Sequence, residues 1–338
     1  MDIKQQNTKK YLFSLFLLNL AALFITGCQA DTAEITKSSF MLNTVVQITL
    51  YGEENEVLID EALALCKVFE ERFSRTISTS DISRMNNRSK DTQSFDLDAD
   101  LAEILQKSLY YSELSGGRFD VTLEPVTNLW DFTADPFVLP SDDKIKEKIS
   151  YVDYRNIVIE NHQITFLSPD TKIDLGAIAK GYITDKIKEF LISRGVTSGI
   201  INLGGNVLCI GNKPDGRPFK IGLQKPFEER SETVSILSIS DFTVVSSGVY
   251  ERNKIIDGIN YHHLLDPETG YPVDNDLISV TIITKNSVDG DGLSTTCFVM
   301  GLEKGLELIN SIPDTYAVFI TSDGELHYSN DAADLVAE

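Results

Sequence analysis

The chain contains 338 residues, of which 42% are hydrophobic and 24% are charged. A chain of this composition can bury a substantial core, which excludes disordered, collagen-like and low-complexity proteins. The 51 Asp and Glu residues outnumber the 30 Lys and Arg residues and give a formal charge of −21. This charge repels nucleic-acid phosphates, so we expect no nucleic-acid partner. A phosphate compound would be bound through a metal ion or through backbone N–H groups.

The N-terminus has the pattern of an export signal. Basic residues precede an apolar segment over residues 11–25, and the small residue Gly27 directly precedes Cys28. The segment is short for a membrane span, and the order of its parts is typical of secretory signals. A Cys at the cleavage point is similar to a bacterial lipobox, in which that Cys is lipidated. We therefore expect residues 1–27 to be a lipoprotein signal peptide, with a plain signal peptide or an uncleaved anchor helix as alternatives.

Location and domain limits follow from this interpretation. Lipid chains on Cys28 would anchor the protein to a bacterial cell membrane on the extracytoplasmic side. Residues 28–38 read as a short polar tether. No internal repeat or long linker interrupts residues 39–338, which we expect to form one domain.

The cysteines and histidines favour neither a disulfide framework nor a zinc site. Cys66, Cys209 and Cys297 each lie within an apolar run, where a free Cys behaves as a small hydrophobic residue. An odd number of cysteines in an oxidising compartment argues against a disulfide framework. No CxxC motif is present, and only His262 and His263 are neighbours among the histidines.

The first predicted elements of the domain are one strand and two helices. Residues 40–51 alternate between apolar and polar side chains like a strand. Apolar residues then recur at helical spacing over residues 55–73, which predicts an amphipathic helix. A second predicted helix over residues 98–114 is closed by Gly116 and Gly117, a typical C-terminal stop.

Strands dominate the remaining predicted elements. Residues 157–166 read as a hairpin, and residues 177–194 as a helix that ends at Gly195. Further strands are predicted over residues 200–203, 219–223, 279–284 and 316–321, with one helical stretch over residues 293–309. This intermixed order predicts an α+β fold with mixed, mostly antiparallel sheets and packed helices.

A glycine-containing turn over residues 174–185 is the first candidate site. It leads from a strand-like segment into a helix and carries Lys180 near the helix start. Backbone N–H groups at a helix N-terminus and one lysine can together bind a phosphate. The spacing of a Walker loop is absent, however, and taken alone the segment is better explained as a structural turn.

A histidine pair and an Asp-rich segment form the second candidate. His262 and His263 would point to opposite sides of a strand. Asp291 and Thr295 lie four residues apart and would share one face of a helix. A carboxylate and a hydroxyl suit Mg²⁺, which takes waters and substrate phosphates as its other ligands. The structural alternatives are a turn after the histidines and an N-cap role for Asp291.

Motifs distributed over the exported region carry a family resemblance. They lie, in order, at residues 115–120 with 128–130, 174–181, 202–206, 246–252, 262–270 and 291–295. In sequence and in order they resemble the ApbE family of FAD:protein FMN transferases, also called flavin transferases. The lipobox fits, because many members are extracytoplasmic lipoproteins.

The resemblance implies a reaction and a metal site. FAD would be split at its pyrophosphate, FMN would be joined through a phosphoester to a Thr or Ser of an acceptor flavoprotein, and AMP would leave. Such a reaction needs charge neutralisation, an in-line hydroxyl and exclusion of water. The resemblance places Mg²⁺ on Asp291, on Thr295 and on a main-chain carbonyl that corresponds to Ala177.

The resemblance also implies the residues that contact FAD. Asp174 and Lys180 are among them, with Lys180 suited to a phosphate oxygen. The flavin or adenine pocket would be lined by Leu42, Arg118, Phe119, Asp120, His263 and Leu265. We expect His263 to be catalytic together with Asp291. A His can take a proton near pH 7 and the sequence offers few others, so His263 would orient or deprotonate the acceptor hydroxyl, with stacking on the flavin as the alternative.

Two departures from the family pattern affect these assignments. Leu42 and Asn43 stand where members commonly have Met-Gly or Met-Asp, so the flavin contact of Leu42 is not supported by its residue type. Gly290 and Gly292 flank Asp291 where Ala is frequent, and we expect them to loosen the backbone without removing an oxygen ligand.

Two other functions use the same residues. In an FAD pyrophosphatase, water would replace the acceptor hydroxyl and free FMN would be released. A non-catalytic lipoprotein would bind FAD and deliver it unchanged, although the presence of Asp291, Lys180 and His263 argues against that role.

Overall fold

The computed structural model describes residues 33–53, 55–229 and 231–337. The predicted signal peptide and Cys28 lie outside the described residues. The predicted tether over residues 28–38 is described only at its end, where residues 34–38 already belong to the first strand. Within the described ranges, no helix is long and apolar enough to cross a membrane.

Fifteen strands and eight α-helices make up the described chain. The strands are β1 (Glu34–Met41), β2 (Thr44–Tyr51), β3 (Ser94–Asp96), β4 (Ile157–Glu160), β5 (Gln163–Phe166), β6 (Gly199–Leu203), β7 (Asn206–Ile210), β8 (Phe219–Gln224), β9 (Thr233–Ile239), β10 (Thr243–Gly248), β11 (Asn253–Ile256), β12 (Ile259–His262), β13 (Leu277–Thr284), β14 (Tyr316–Thr321) and β15 (Leu326–Tyr328). The helices are α1 (Val57–Phe73), α2 (Asp81–Asn86), α3 (Ala99–Leu114), α4 (Glu124–Thr127), α5 (Asp142–Ile149), α6 (Ala179–Ser193), α7 (Ser287–Met300) and α8 (Leu302–Asn310).

One large sheet organises the domain. Its strand order is β1-β2-β6-β7-β10-β13-β14-β15, and every neighbouring pair is antiparallel. Smaller sheets are formed by β3-β5-β4, by β8-β9 and by β11-β12. The predicted α+β fold with mostly antiparallel sheets is confirmed.

Both faces of the large sheet are covered. Ile282 and Phe319 belong to the main hydrophobic core, which also contains helical residues, whereas their chain neighbours Ile283 and Val318 belong to a second core. Side chains alternate between the two faces of a strand, so consecutive apolar residues require a cover on each side. Helices provide one cover, and the β8-β9 hairpin, through residues such as Phe219, provides the other.

The predicted strand over residues 40–51 is in fact a hairpin. The chain reverses between β1 and β2 at Leu42 and Asn43, which have φ of 55° and 56°. Left-handed backbone at both positions matches a two-residue hairpin turn, although Leu rarely adopts it. The sequence does not reveal this turn, because apolar and polar residues alternate with the same two-residue period before it, through it and after it.

The predicted helix over residues 293–309 is two helices. Gly301 has φ of 82° and separates α7 from α8. Helix α7 also begins at Ser287, earlier than predicted, because almost all of its residues are buried and it therefore has no polar face to reveal its period. The other long helices, α1, α3 and α6, lie within two residues of their predicted bounds.

The three cysteines of the described residues are free thiols, and all are buried. Burial raises the pKa of Cys66 and of Cys209 to about 12, and it also raises the pKa of Cys297. Each thiol is therefore protonated at neutral pH and packs as a small apolar side chain, as the sequence predicted.

Candidate active site

Helices α6 and α7 approach each other closely at their first turns. A Cβ atom on Gly181 would lie 2.2 Å from the carbonyl oxygen of Ser287 and 2.7 Å from the Cα atom of Val288. No side chain fits there, so glycine is what permits this approach. The backbone of α6 thereby becomes part of the site that α7 carries.

Asp185, one turn further along α6, fixes the start of α7. Its two carboxylate oxygens accept the backbone N–H groups of Ser287 at 2.8 Å and of Val288 at 2.9 Å. These are among the N–H groups that a helix leaves without an internal partner. Burial raises the pKa of the Asp185 carboxyl to about 7, against the opposing effect of these two hydrogen bonds. In the sequence, the only sign that Asp185 belongs to a functional site is its position at the end of the candidate segment over residues 174–185.

Asp291 lies inside α7 and is 4% exposed. Its Oδ2 accepts the N–H of Gly181 at 2.6 Å, and its Oδ1 accepts Asn206 Nδ2 at 2.8 Å and Lys180 Nζ at 3.3 Å. The N-cap position of α7 belongs to Asn286, so the N-cap alternative for Asp291 is wrong. The carboxylate is held instead by groups from two separate segments, the start of α6 and the start of β7.

Asn206 completes this cluster. It is the first residue of β7 and is 1% exposed, and its Oδ1 accepts Lys180 Nζ at 2.6 Å. Because its amide also donates to Asp291, Asn206 holds the lysine and the carboxylate in fixed relative positions. The sequence motif at residues 202–206 includes Asn206, but nothing in the sequence alone gives the side chain this role.

The backbone around Asp291 offers oxygen atoms to a cation. Gly181 is the third residue of α6, so its N–H is one of those that a helix leaves without an internal partner, and it donates to Asp291. The Ala177 carbonyl lies just before α6, and Thr295 lies one turn beyond Asp291 in α7 and is half-buried. Carboxylate, hydroxyl and carbonyl oxygens are the ligands that Mg²⁺ prefers. The described residues contain no group of three or more His, Cys, Asp or Glu that could hold a metal, so waters or substrate would complete the coordination.

His263 lies just beyond β12, within a cluster of positive charge. Its backbone N–H donates to the carbonyl of Arg252 at 3.0 Å, and its buried Nδ1 has no hydrogen-bond partner in the described chain. Desolvation, then the charges of Arg252, His262 and Lys180, lower the pKa of the imidazole to about 3. The ring is therefore neutral at pH 7 and does not titrate near 7 in the free protein, contrary to the expectation from its residue type.

Two of the implied FAD contacts hold turns together. Asp174 accepts the N–H of Gly176 at 2.8 Å and the hydroxyl of Thr127 at 2.7 Å, and it lies 3.3 Å from Arg75 Nε. Asp120 accepts the N–H and hydroxyl of Thr122 and the N–H of Tyr154. These hydrogen bonds occupy oxygens of both carboxylates. The contact of Asp174 and Asp120 with FAD stays a prediction.

The remaining implied contacts are dispersed. Phe119 is buried in the main core and Leu265 in a smaller core around Trp130. Arg118 pairs with Glu268 at 2.9 Å, which ties its loop to the turn that follows His263. Leu42 is half-buried at its left-handed position, and its N–H donates to Glu70 at 2.6 Å. None of these contacts tests the predicted role in the flavin or adenine pocket.

The glycines around Asp291 make room for packing. A Cβ atom on Gly290 would lie 2.6 Å from Val245 Cγ2, and one on Gly292 would lie 2.4 Å from the ring of Tyr111. Both positions are inside α7, with ordinary helical neighbours. These glycines let larger side chains close the space around the helix, and their effect on the looseness of the local backbone stays a prediction.

Comparison with known proteins identifies the family of this chain. The model of the ApbE family matches residues 42–320. The FAD:protein FMN transferase of Treponema pallidum is 30% identical over 92% of this chain and 91% of its own length. The ApbE protein of Thermotoga maritima superposes with a TM-score of 0.83 at 27% identity, and the flavin transferase ApbE of Vibrio cholerae with 0.81 at 26%; each alignment covers 90% of this chain and 99% or more of the other. The chain belongs to the ApbE family.

Proposed function

We propose that this chain transfers FMN from FAD to a Thr or Ser hydroxyl of an acceptor flavoprotein and releases AMP. The observation that carries the proposal is the cluster of Lys180, Asn206 and Asp291 at the junction of α6 and α7, in a chain whose relatives are FAD:protein FMN transferases. The cluster places one lysine and one buried carboxylate beside the starts of two helices, and a second cation, Arg252, acts together with Lys180 on the His263 ring.

Binding of the pyrophosphate is assigned to the local positive charge. The positive charges of Lys180 and Arg252 both lower the pKa of the His263 ring, in an otherwise acidic protein. No carboxylate lies within ion-pair distance of Arg252 among the described residues, which leaves its guanidinium available for an anion. These two cations would offset the charge of the diphosphate and orient it.

Mg²⁺ would be held by Asp291, Thr295 and the Ala177 carbonyl. When bound, it supplies charge neutralisation at the pyrophosphate. Lys180 already balances part of the Asp291 charge in the free chain, so the protein alone offers the ion little net negative charge. We therefore expect affinity for Mg²⁺ to rise when FAD contributes its phosphate oxygens.

His263 is proposed to take the proton of the acceptor. The hydroxyl oxygen attacks the phosphorus of the FMN half, the bond to the AMP phosphate breaks, and the hydroxyl proton moves to the neutral imidazole. Bound pyrophosphate would offset the positive charges of Arg252 and Lys180, and would thereby raise the low pKa of His263 toward a useful range. Stacking of the ring on the flavin is the alternative role.

The location is part of the proposal. We propose that Cys28 is lipidated and anchors the domain on the extracytoplasmic side of the cell membrane, where exported redox subunits would serve as acceptors. The lipobox motif in the sequence supports this placement.

One incubation tests the function. The purified chain is mixed with FAD, Mg²⁺ and candidate exported flavoproteins, and acceptor mass and AMP are followed together. A transferase adds the mass of FMN to a Thr or Ser and releases AMP in step. Rapid formation of free FMN without any labelled acceptor would establish a pyrophosphatase, and bound but unchanged FAD beside a competent acceptor would establish a carrier.

A further inference from the structure

The hairpin of β11 and β12 leaves apolar side chains uncovered. The two strands pair with each other and with no other strand of the described chain, through a two-residue turn at Asp257 and Gly258 with φ of 50° and 83°. At its tip Ile255 is 70% exposed and Ile259 is 56% exposed. An isolated two-stranded hairpin is marginally stable, and its free edges invite a further strand.

The hairpin leads directly into the candidate active site. Its ladder continues beyond β11 and β12, because the N–H of His263 donates to the carbonyl of Arg252 at 3.0 Å. Hydrogen-bonded pairs alternate with non-bonded pairs along an antiparallel ladder. Counting from Arg252 and His263, the backbone N–H and C=O groups of Asn253 and Ile255 point away from β12. Within the described chain, the outer edge of β11 therefore carries unpaired backbone groups at Asn253 and Ile255.

The charges on this strand restrict what could bind. Lys254 lies beside the exposed Ile255, and no carboxylate of the described chain is within ion-pair distance of Lys254. Arg252, at the lower end, is likewise beyond ion-pair distance of every carboxylate that the structure describes. The overall charge of −21 makes such an unpaired basic strand unusual in this protein. An extended segment with an apolar residue and an acidic residue would complement both the exposed Ile255 and the positive charge of Lys254 and Arg252.

We propose that β11 is the docking strand for the acceptor flavoprotein, whose target segment adds to the free edge of β11 as a third strand. The inference rests on the proposed FMN transfer and names its recognition mode. Backbone hydrogen bonds to Asn253 and Ile255 give affinity, and the Ile255 side chain selects an apolar residue. The segment runs along β11 toward Arg252 and delivers its Thr or Ser beside His263.

Two variants of Ile255 distinguish the contribution of the backbone edge to acceptor binding from the contribution of the side chain. Ile255→Pro removes the outward N–H at a position where an edge strand tolerates proline, and Ile255→Glu keeps that N–H but repels an apolar or acidic segment. The probe is the exported flavoprotein subunit that the wild-type chain labels, together with a synthetic peptide of its labelled segment. For both variants we expect the KM for subunit and peptide to rise by about tenfold or more.

Two controls define the outcome. In both Ile255 variants the KM for FAD should be unchanged, and so should the rate at which FMN forms from FAD when no acceptor is present, which we expect to be slow. Ile192→Glu, on an exposed Ile at the far end of α6, should leave transfer unchanged. Unaltered acceptor KM in both Ile255 variants would overturn the docking strand while leaving FMN transfer intact. If the wild-type chain labels no acceptor, the proposed function fails and the docking strand fails with it.

Discussion

The backbone N–H of Gly181 donates a 2.6 Å hydrogen bond to Oδ2 of Asp291 across the junction of α6 and α7. This bond joins a backbone group in the first turn of α6 to the carboxylate carried by α7. One hydrogen bond thus fixes the Asp291 carboxylate against the start of α6. The arrangement depends on the close approach of the helices, which the glycine permits and Asp185 fixes.

Gly181→Ala should damage both stability and transfer. The added Cβ would meet the Ser287 backbone at 2.2 Å, and backbone cannot move aside as a flexible side chain can. We expect a loss of about 1–3 kcal/mol in the free energy of unfolding and a large fall in kcat/KM. Gly292→Ala is the matched comparison, because it meets only the Tyr111 ring and should cost stability with less effect on transfer. Equal activity of Gly181→Ala and the wild type would contradict the role of this junction.

Asp291→Ala should abolish FMN transfer while the protein stays folded. The substitution removes the carboxylate that holds Lys180, Asn206 and the proposed metal ion. Thr295→Val should be milder, with a loss of roughly tenfold, because it removes a neutral ligand. Steady-state transfer rates over a range of Mg²⁺ concentrations, with circular dichroism for the fold, provide the measurement. Full activity of Asp291→Ala at ordinary Mg²⁺ would eliminate the metal assignment.

His263→Ala should slow transfer by about 10²-fold or more, the usual contribution of a positioned base. The affinity for FAD distinguishes the two proposed roles of the ring. If the affinity, measured by equilibrium titration, is retained, the proton role is favoured; if it falls with the rate, stacking on the flavin is favoured. Unchanged transfer would exclude both.

Stability should depend on pH through Asp185. Its pKa of about 7 in the folded chain exceeds the ordinary value of 3.8, so the folded chain binds the extra proton between these values. The wild type should therefore lose stability relative to Asp185→Asn as pH rises from about 4 to 7, by up to about 1.4 kcal/mol per pH unit. Urea unfolding of both proteins at pH 5.5, 6.5 and 7.5 measures the difference, and His262 and His263, which titrate in both, cancel. A difference independent of pH would show that Asp185 is ionised throughout.

Cys28→Ser should release the domain from the membrane fraction. Lipid chains on that residue are the proposed anchor, and catalysis by the released protein should be unchanged. Fractionation with mass analysis of the N-terminus tests both points. A variant that is still fully lipid-modified would contradict the lipobox.

The sequence predicted regular elements better than interruptions. Amphipathic helices such as α1 and α3 follow from the period of their apolar residues. The turn at Leu42 cannot be predicted in this way, because the alternation of apolar and polar residues continues through it. The break at Gly301 cannot be predicted either, because it separates two buried helical segments. Local patterns carry no information about a reversal that leaves them unchanged.

Site residues could be predicted from the sequence where a charged side chain itself indicates the chemistry. Lys180 and Asp291 are such residues, and the structure brings them within 3.3 Å. Asn206 and Asp185 escape prediction because an amide or an isolated acid becomes informative only when its partners are known. The backbone N–H of Gly181 has no signature in sequence at all.

Because its cysteines are buried and protonated, the described chain should not react with thiol reagents. Maleimides and iodoacetamides react with accessible thiolates, and Cys66, Cys209 and Cys297 offer none at neutral pH. Among the described residues, a single Ile255→Cys substitution would therefore give one selective position for a fluorophore or spin label. Such a probe on the edge of β11 could report arrival of an acceptor during turnover, with no background from Cys66, Cys209 or Cys297 and without first replacing these three residues.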